Sequence, residues 1–115
     1  MPSVMLAEDD VTMLSLLETL LKMEGFQVHK LNPDEDIVAA VLAERPDLLL
    51  MDVHLLRQNG IDVLTKLRAT AGGHAVRVVM ASGLDLRDKC LARGANAFIQ
   101  KPFMPDDLVA LLRSV

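Results

Sequence analysis

The chain has 115 residues, a formal net charge of -4 and a 51% share of hydrophobic residues. This size and apolar content suit one packed core, so we expect residues 1–115 to form a single domain. The basic residues are scattered rather than gathered into a stripe, which argues against direct nucleic-acid binding. No apolar run is long enough for a membrane span and the start lacks a basic signal region, so a cytoplasmic protein is expected.

The cysteine and histidine residues exclude two kinds of site. Cys90 is the only cysteine, so an internal disulfide and a cysteine zinc cluster are ruled out. It is predicted to be a small buried residue on a helix. His29, His54 and His74 lack the spacing of metal ligands and are predicted to lie at the surface.

Short apolar runs predict five strands. Four of them contain no alternating polar residues, which is typical of strands buried on both faces of a sheet. The run over residues 26–31 instead alternates apolar with polar side chains, which indicates a strand at a sheet edge. The four buried strands are predicted over residues 4–7, 48–51, 76–81 and 97–99.

Segments with helical periodicity follow each strand and predict five helices. The first covers about residues 11–23, and Gly25 marks its end. In the second, Asn32 is expected to cap the helix, Pro33 to take its first position and acidic residues 34–36 to complete the first turn. The third centres on residues 61–67, the fourth covers residues 86–93, and Pro105 begins the fifth.

Regular alternation of strand and helix predicts the fold class. It implies right-handed crossovers and a parallel sheet with helices on both faces. We therefore expect a flavodoxin-like, doubly wound α/β fold with five parallel strands in the order 2-1-3-4-5. In such folds, ligands bind beyond the carboxyl ends of the strands.

Acidic, hydroxyl and basic side chains follow the buried strands. Each one alone is also typical of a turn or a helix cap, and Asp10 is a candidate cap for the first helix. Together, however, the fold brings acids from two strands, a hydroxyl from a third and a lysine from a fourth to the same edge of the sheet. These residues are Glu8, Asp9 and Asp10 after strand one, Asp52 after strand three, Ser82 after strand four and Lys101 after strand five.

This set of side chains predicts phosphoryl chemistry with a metal ion. Clustered carboxylates repel one another unless a cation lies among them, and a compact all-oxygen site suits Mg²⁺. A carboxylate beside Mg²⁺, with a lysine and a hydroxyl nearby, can attack phosphorus, so Asp52 is the predicted nucleophile, with Lys101 and Ser82 at the same site. No histidine stands at these strand ends as a general acid or base, which suits a donor that is already activated.

The same segments resemble the response regulator receiver family of bacterial two-component signalling, the CheY-like family. The resemblance spans nearly the whole chain and rests on VMLAEDD at 4–10, DLLLMD at 47–52, NG at 59–60, VVMASG at 78–83 and KPF at 101–103. It implies that Asp52 accepts a phosphoryl group from a phosphohistidine on a sensor histidine kinase or a histidine phosphotransfer protein.

The resemblance also implies the roles of the neighbours of Asp52. Glu8, Asp9, Asp52 and the main-chain carbonyl of His54 would hold Mg²⁺ directly or through water. Lys101 would pair with Asp52 and then bind the phosphoryl oxygens, and the peptide bond that follows Lys101 would be cis.

A switch is implied by two further positions. The hydroxyl of Ser82 would move to the phosphate and Phe98 would turn inward with it, which changes the surface of helix four, strand five and helix five. That surface could support a homodimer. Phe98 lies in an apolar strand and is equally consistent with an ordinary core residue.

Two other function classes remain open. The first is a stand-alone phosphatase or phosphotransferase with an aspartyl phosphate, but phosphatases of the haloacid dehalogenase type carry a second acid two places after the nucleophile, where this chain has His54. The second is a degenerate receiver that acts only as a docking module, which the complete set of pocket residues disfavours. The sequence therefore favours a phosphoacceptor that catalyses only its own phosphorylation and dephosphorylation, rather than an enzyme with an external substrate.

Overall fold

The computed structural model describes all 115 residues and contains five parallel strands in one sheet, in the order β2-β1-β3-β4-β5. Helices alternate with the strands along the chain, which confirms the predicted doubly wound α/β fold. The strands are β1 (Ser3–Ala7), β2 (Gln27–Lys30), β3 (Leu48–Asp52), β4 (Arg77–Ser82) and β5 (Ala97–Gln100). The helices are α1 (Val11–Met23), α2 (Ile37–Glu44), α3 (Gly60–Ala69), α4 (Arg87–Ala92) and α5 (Pro105–Ser114).

A separate apolar core lies on each face of the sheet. Neighbouring residues of a strand point to opposite faces, so Met5 of β1 belongs to the core under α2, α3 and α4, whereas Leu6 belongs to the core under α1 and α5. Both side chains are fully buried. Strand β2 is mostly exposed at one edge of the sheet, as its alternating sequence predicts. These two cores hold the ends of the central strands in fixed positions.

The starts of the first two helices test the predicted caps. Asp10 caps α1, and its Oδ1 accepts a hydrogen bond of 3.0 Å from a main-chain N–H of the first turn, as predicted. The predicted start of the second helix at Asn32 and Pro33 is wrong, because α2 begins at Ile37 and Asp36 provides the cap. Asn32 instead closes a turn, since its carbonyl oxygen accepts a 3.0 Å hydrogen bond from the N–H of Glu35. Asp36, which has the extended backbone and side-chain hydrogen bond of a helix cap, begins the helix in place of the Asn32-Pro33 pair.

The predicted burial of Cys90 and exposure of the three histidines agree with the structure. Cys90 is fully buried on α4, and burial raises the pKa of its thiol. His29, His54 and His74 are exposed. None of the helices is long and apolar enough to cross a membrane.

Arg45 ends α2 in a left-handed conformation, with φ 50° and ψ 57°. This region costs a residue with a Cβ atom roughly 1–2 kcal/mol, which glycine avoids. We expect Arg45→Gly to raise the free energy of unfolding by about 0.5–1 kcal/mol in urea denaturation, after the larger entropy of glycine in the unfolded chain is subtracted. The control is Glu44→Gly inside the helix, which should lower it by up to about 1 kcal/mol. A loss of stability in Arg45→Gly would contradict this explanation.

Candidate functional site

Lys101 connects the ends of three strands at the carboxyl edge of the sheet. Its Nζ lies 3.2 Å from Oε1 of Glu8, which follows β1, and 3.2 Å from Oδ2 of Asp52, which ends β3. The cis peptide bond between Lys101 and Pro102, expected from the family resemblance, is present. One ammonium group thus forms ion pairs with two carboxylates that would otherwise repel each other.

The two carboxylates differ in how far solvent reaches them. The side chain of Glu8 is 7% exposed, whereas those of Asp52 and Lys101 are 16% and 22% exposed. Asp52 therefore lies at the mouth of the pocket, and Glu8 lies beneath it. An incoming reactant meets Asp52 before it meets Glu8.

The electrostatics of the pocket favour a further positive charge. Burial raises the pKa of Glu8 to about 7, and the Lys101 ammonium opposes this rise while Asp52 adds to it. Burial alone would lower the pKa of Lys101, but the carboxylates of Glu8 and Asp52 outweigh that effect and raise it. With both carboxylates ionised, a single ammonium leaves the group with excess negative charge.

Asp9 lies beside this group but is directed elsewhere. Its Oδ2 accepts a hydrogen bond from the main-chain N–H of Leu56 in the loop after β3. No three side chains among Asp, Glu, His and Cys are gathered closely enough to hold a metal ion. The donor is a main-chain group, so no side-chain pattern in the sequence could have predicted this contact.

The chemistry of the pocket residues nevertheless fits Mg²⁺. With Glu8 ionised the group carries excess negative charge, and its available donors are carboxylate and carbonyl oxygens, which hard divalent cations prefer. His54 occupies the loop directly after Asp52 and pairs with Asn59 in an isolated bridge, while its side chain is exposed. Only Oδ2 of Asp9 accepts the hydrogen bond from Leu56, so its Oδ1 is the oxygen left for an ion shared with Glu8 and Asp52.

Ser82 and Phe98 are both buried. Ser82 ends β4 and is fully inaccessible, and its Oγ accepts a hydrogen bond of 3.1 Å from the N–H of Leu84. Phe98 lies in β5 opposite Met80 of β4 and belongs to the core that also contains Cys90. Its packing is that of a core residue, and its role as a switch stays a prediction.

Asp10, the remaining acid after β1, does not join the pocket, since its side chain caps α1. Of the residues predicted at the site, Glu8, Asp52 and Lys101 are therefore in direct contact, and Asp9 is held nearby by another partner.

The family-model comparison agrees with this geometry. Residues 4–113 match the model of the response regulator receiver domain. The chain belongs to this family. The match covers almost all of the chain and includes every residue of the pocket.

Two curated relatives extend the comparison to longer proteins. The chain is 41% identical over 118 residues to the transcriptional regulatory protein CpxR of Klebsiella pneumoniae, a match over 100% of this chain and 49% of CpxR. It is 37% identical over 114 residues to the DNA-binding response regulator MtrA of Mycobacterium tuberculosis, a match over 96% of this chain and 49% of MtrA. This receiver domain thus spans about half the length of these relatives.

Solved structures share the fold. The receiver domain of the sensor histidine kinase PA1611 from Pseudomonas aeruginosa, with a magnesium ion coordinated in the active site cleft, has a TM-score of 0.85 and 26% identity over 98% of this chain and 95% of that one. The chemotaxis protein CheY4 of Vibrio cholerae has a TM-score of 0.88 over 100% of this chain and 98% of that one. Its 22% identity supports the shared fold alone.

The raised pKa of Glu8 makes the stability of the metal-free receiver depend on pH. Because the pKa of this acid in the fold, about 7, lies above its ordinary value of 4.5, its ionised form is disfavoured by folding. Its contribution to stability is therefore full below about pH 4.5 and is lost as the pH rises through about 7.

We expect Glu8→Gln to raise the free energy of unfolding by about 2 kcal/mol at pH 8 in EDTA, and by less than about 1 kcal/mol at pH 5. Urea denaturation at both pH values measures this difference, with the exposed Glu44→Gln as the control variant. An equal effect of Glu8→Gln at both pH values would contradict the electrostatic explanation.

Proposed function

We propose that residues 1–115 act as one receiver domain that accepts a phosphoryl group on Asp52 from a sensor histidine kinase or a histidine phosphotransfer protein. The observation that carries the proposal is the ion pair between Asp52 and Lys101 at the mouth of the pocket, 3.2 Å long. It joins a reachable carboxylate to the cation that a phosphoryl group needs. Family membership supports the same conclusion.

The proposed transfer is a single displacement at phosphorus. A carboxylate oxygen of Asp52 forms a bond to phosphorus while the bond from phosphorus to the donor imidazole nitrogen breaks, and the electron pair stays on that nitrogen. Lys101 is already within 3.2 Å of Asp52 and would bind the phosphoryl oxygens that arrive there. Ser82 would donate its hydroxyl to one of those oxygens after giving up its contact with the N–H of Leu84.

Glu8, Asp9, Asp52 and the main-chain carbonyl of His54 would hold Mg²⁺. When bound, the ion neutralises negative charge that develops on the phosphoryl oxygens. The excess negative charge of the Glu8, Asp52 and Lys101 group supports this assignment, as does the magnesium ion in the cleft of the Pseudomonas receiver. Asp9 would bind through Oδ1, because its Oδ2 accepts the hydrogen bond from Leu56.

A ring of apolar side chains supports a protein as the phosphoryl donor. Val11, Leu56, Leu84 and Met104 are all exposed, and each follows a different strand at the carboxyl edge of the sheet. Exposed apolar residues gathered on one side of a domain are typical of interaction surfaces. A small ester would use little of this ring, so the phosphohistidine of a partner protein fits better than an external small-molecule substrate.

The output of the proposed switch is the surface of α4, β5 and α5. Ser82 ends β4, Phe98 lies in the neighbouring strand β5, and β5 forms the second edge of the sheet. A movement of Ser82 toward phosphate would therefore change the packing of α4 and β5. Formation of a homodimer through this surface is one output of such a change. The domain itself has a net charge of -4, which disfavours direct contact with nucleic acid.

Asp52→Asn should abolish phosphoryl uptake, because the amide cannot serve as the nucleophile. Incubation with acetyl phosphate and Mg²⁺, followed by intact-protein mass spectrometry, measures the uptake. Asp62→Asn, an exposed change on α3, should be labelled like the original chain. Labelling of Asp52→Asn, or rapid multiple turnover of small phosphate esters, would contradict the proposal.

Mg²⁺ should stabilise the receiver domain through binding to the folded state. At a concentration about 100 times its Kd, the ion should raise the free energy of unfolding by about 2.7 kcal/mol in urea denaturation. Asp9→Asn should lose most of this gain, whereas Asp62→Asn should keep it. An equal gain in both variants would show that Asp9 does not bind the ion.

A further inference from the structure

Arg68, in the last turn of α3, connects two loops at the end of the sheet away from the pocket. Its Nη1 donates to the main-chain oxygens of Gly73, at 2.9 Å, and Val76, at 2.8 Å, in the segment that leads to β4. Its Nε donates to the oxygen of Gly94 at 3.0 Å, and its Nη2 donates to Oδ1 of Asn96 at 3.0 Å, in the segment that leads to β5. One guanidinium group thus joins the starts of two neighbouring strands.

All four acceptors of Arg68 are uncharged. Burial lowers the pKa of Arg68, as expected for a cation withdrawn from water without a carboxylate beside it. The planar guanidinium can donate in several fixed directions at once, which a lysine ammonium at the same place cannot reproduce. The arrangement is therefore specific for arginine and fixes the geometry of the two loops.

Asn96 extends the connection into the sheet. Its Oδ1 also accepts a 2.8 Å hydrogen bond from the N–H of Val78 in β4, and its own N–H donates to the oxygen of Val78 at 2.8 Å. Ser82 lies four residues beyond Val78 in β4, and Phe98 lies two residues beyond Asn96 in β5. The contacts of Arg68 thus set the starting points of the two strands that carry the proposed switch residues.

The two ends of α4 are held very differently. At its C-terminal end, Gly94 has a φ of 107° and lies so close to Arg68 that an added Cβ would be 2.9 Å from Cγ of that arginine. At its N-terminal end, Leu86 makes no side-chain cap hydrogen bond. The residues before it, Gly83 and Leu84, are exposed. The side-chain hydrogen bonds at this end are longer, 3.4 Å from the N–H of Arg87 to Oδ1 of Asp85 and 3.3 Å from Nε2 of Gln100 to the oxygen of Gly83, than the two 3.0 Å bonds that Arg68 makes at the other end.

We propose that Arg68 is a positioning residue that keeps the segment between α4 and β5 fixed in both states of the receiver. A change that starts at Ser82 then moves the N-terminal end of α4 about a stationary C-terminal end. This inference rests on the proposed phosphorylation of Asp52. It adds a defined pivot, made by Arg68 and Asn96, to that switch.

Hydrogen–deuterium exchange with and without phosphorylation tests the pivot. The full chain is treated with acetyl phosphate and Mg²⁺, and intact mass spectrometry of the same samples measures phosphoryl uptake. In the original chain, phosphorylation should change exchange in residues 82–90 and leave residues 93–96 unchanged. In Arg68→Lys, protection of residues 93–96 should fall about tenfold, and phosphorylation should then change exchange there as well.

Arg93→Lys is the matched control. Arg93 also joins the α4 end to α3, through a single 3.2 Å contact from Nη1 to Oγ1 of Thr65, but it takes no part in the Arg68 cluster. It should keep the original pattern, and Asn96→Ala, which removes the shared acceptor, should reproduce the pattern of Arg68→Lys.

Three results would overturn the pivot. The first is an equal change in exchange at residues 82–90 and 93–96 when the original chain is phosphorylated. The second is an Arg68→Lys chain whose exchange matches that of the original chain. The third is global unfolding of both Arg68→Lys and Asn96→Ala, with no exchange change specific to residues 93–96. Absence of phosphoryl uptake in the original chain would instead overturn the proposed function, and the pivot with it.

Discussion

The ion pairs of Lys101 are the interaction on which the candidate site depends. A lysine that follows β5 reaches Asp52 at the end of β3 and Glu8 after β1, so one cation spans the carboxyl edge of the sheet. Two carboxylates so close together would repel each other in its absence. With it, they remain together, and above about pH 7, where Glu8 is ionised, they carry more negative than positive charge. The Lys101 ion pairs thus keep the two carboxylates together at the pocket, where the proposed function places Mg²⁺.

The parallel sheet makes this arrangement possible. Strands β1, β3 and β4 are buried over most of their lengths, and the two cores fix their directions from both faces. The side chains that follow them are therefore placed by packing that has no part in the chemistry. The loop after β3 makes its own contact, from the N–H of Leu56 to Asp9, while the strand ends keep Asp52 and Lys101 within 3.2 Å of each other.

The sequence could predict the parts of this structure that depend on local pattern. Buried strands, the edge strand and the residues at strand ends all follow from the alternation of apolar runs and helices. The start of α2 could not be read in the same way, because Asn32 and Asp36 are both residues that cap helices, and in the fold Asp36 caps α2 while Asn32 closes a turn. The contacts of Arg68 could not be predicted from the sequence, since three of its four acceptors are main-chain oxygens.

In the proposed function, Asp52 is the residue that carries the phosphoryl group. Borohydride reduces an aspartyl phosphate to homoserine, so peptide mass spectrometry after reduction of the phosphorylated chain reads the modified position directly. Homoserine is expected at position 52, and unmodified aspartate at positions 9 and 10. Homoserine at position 9 or 10, or a labelled chain with aspartate retained at position 52, would contradict it.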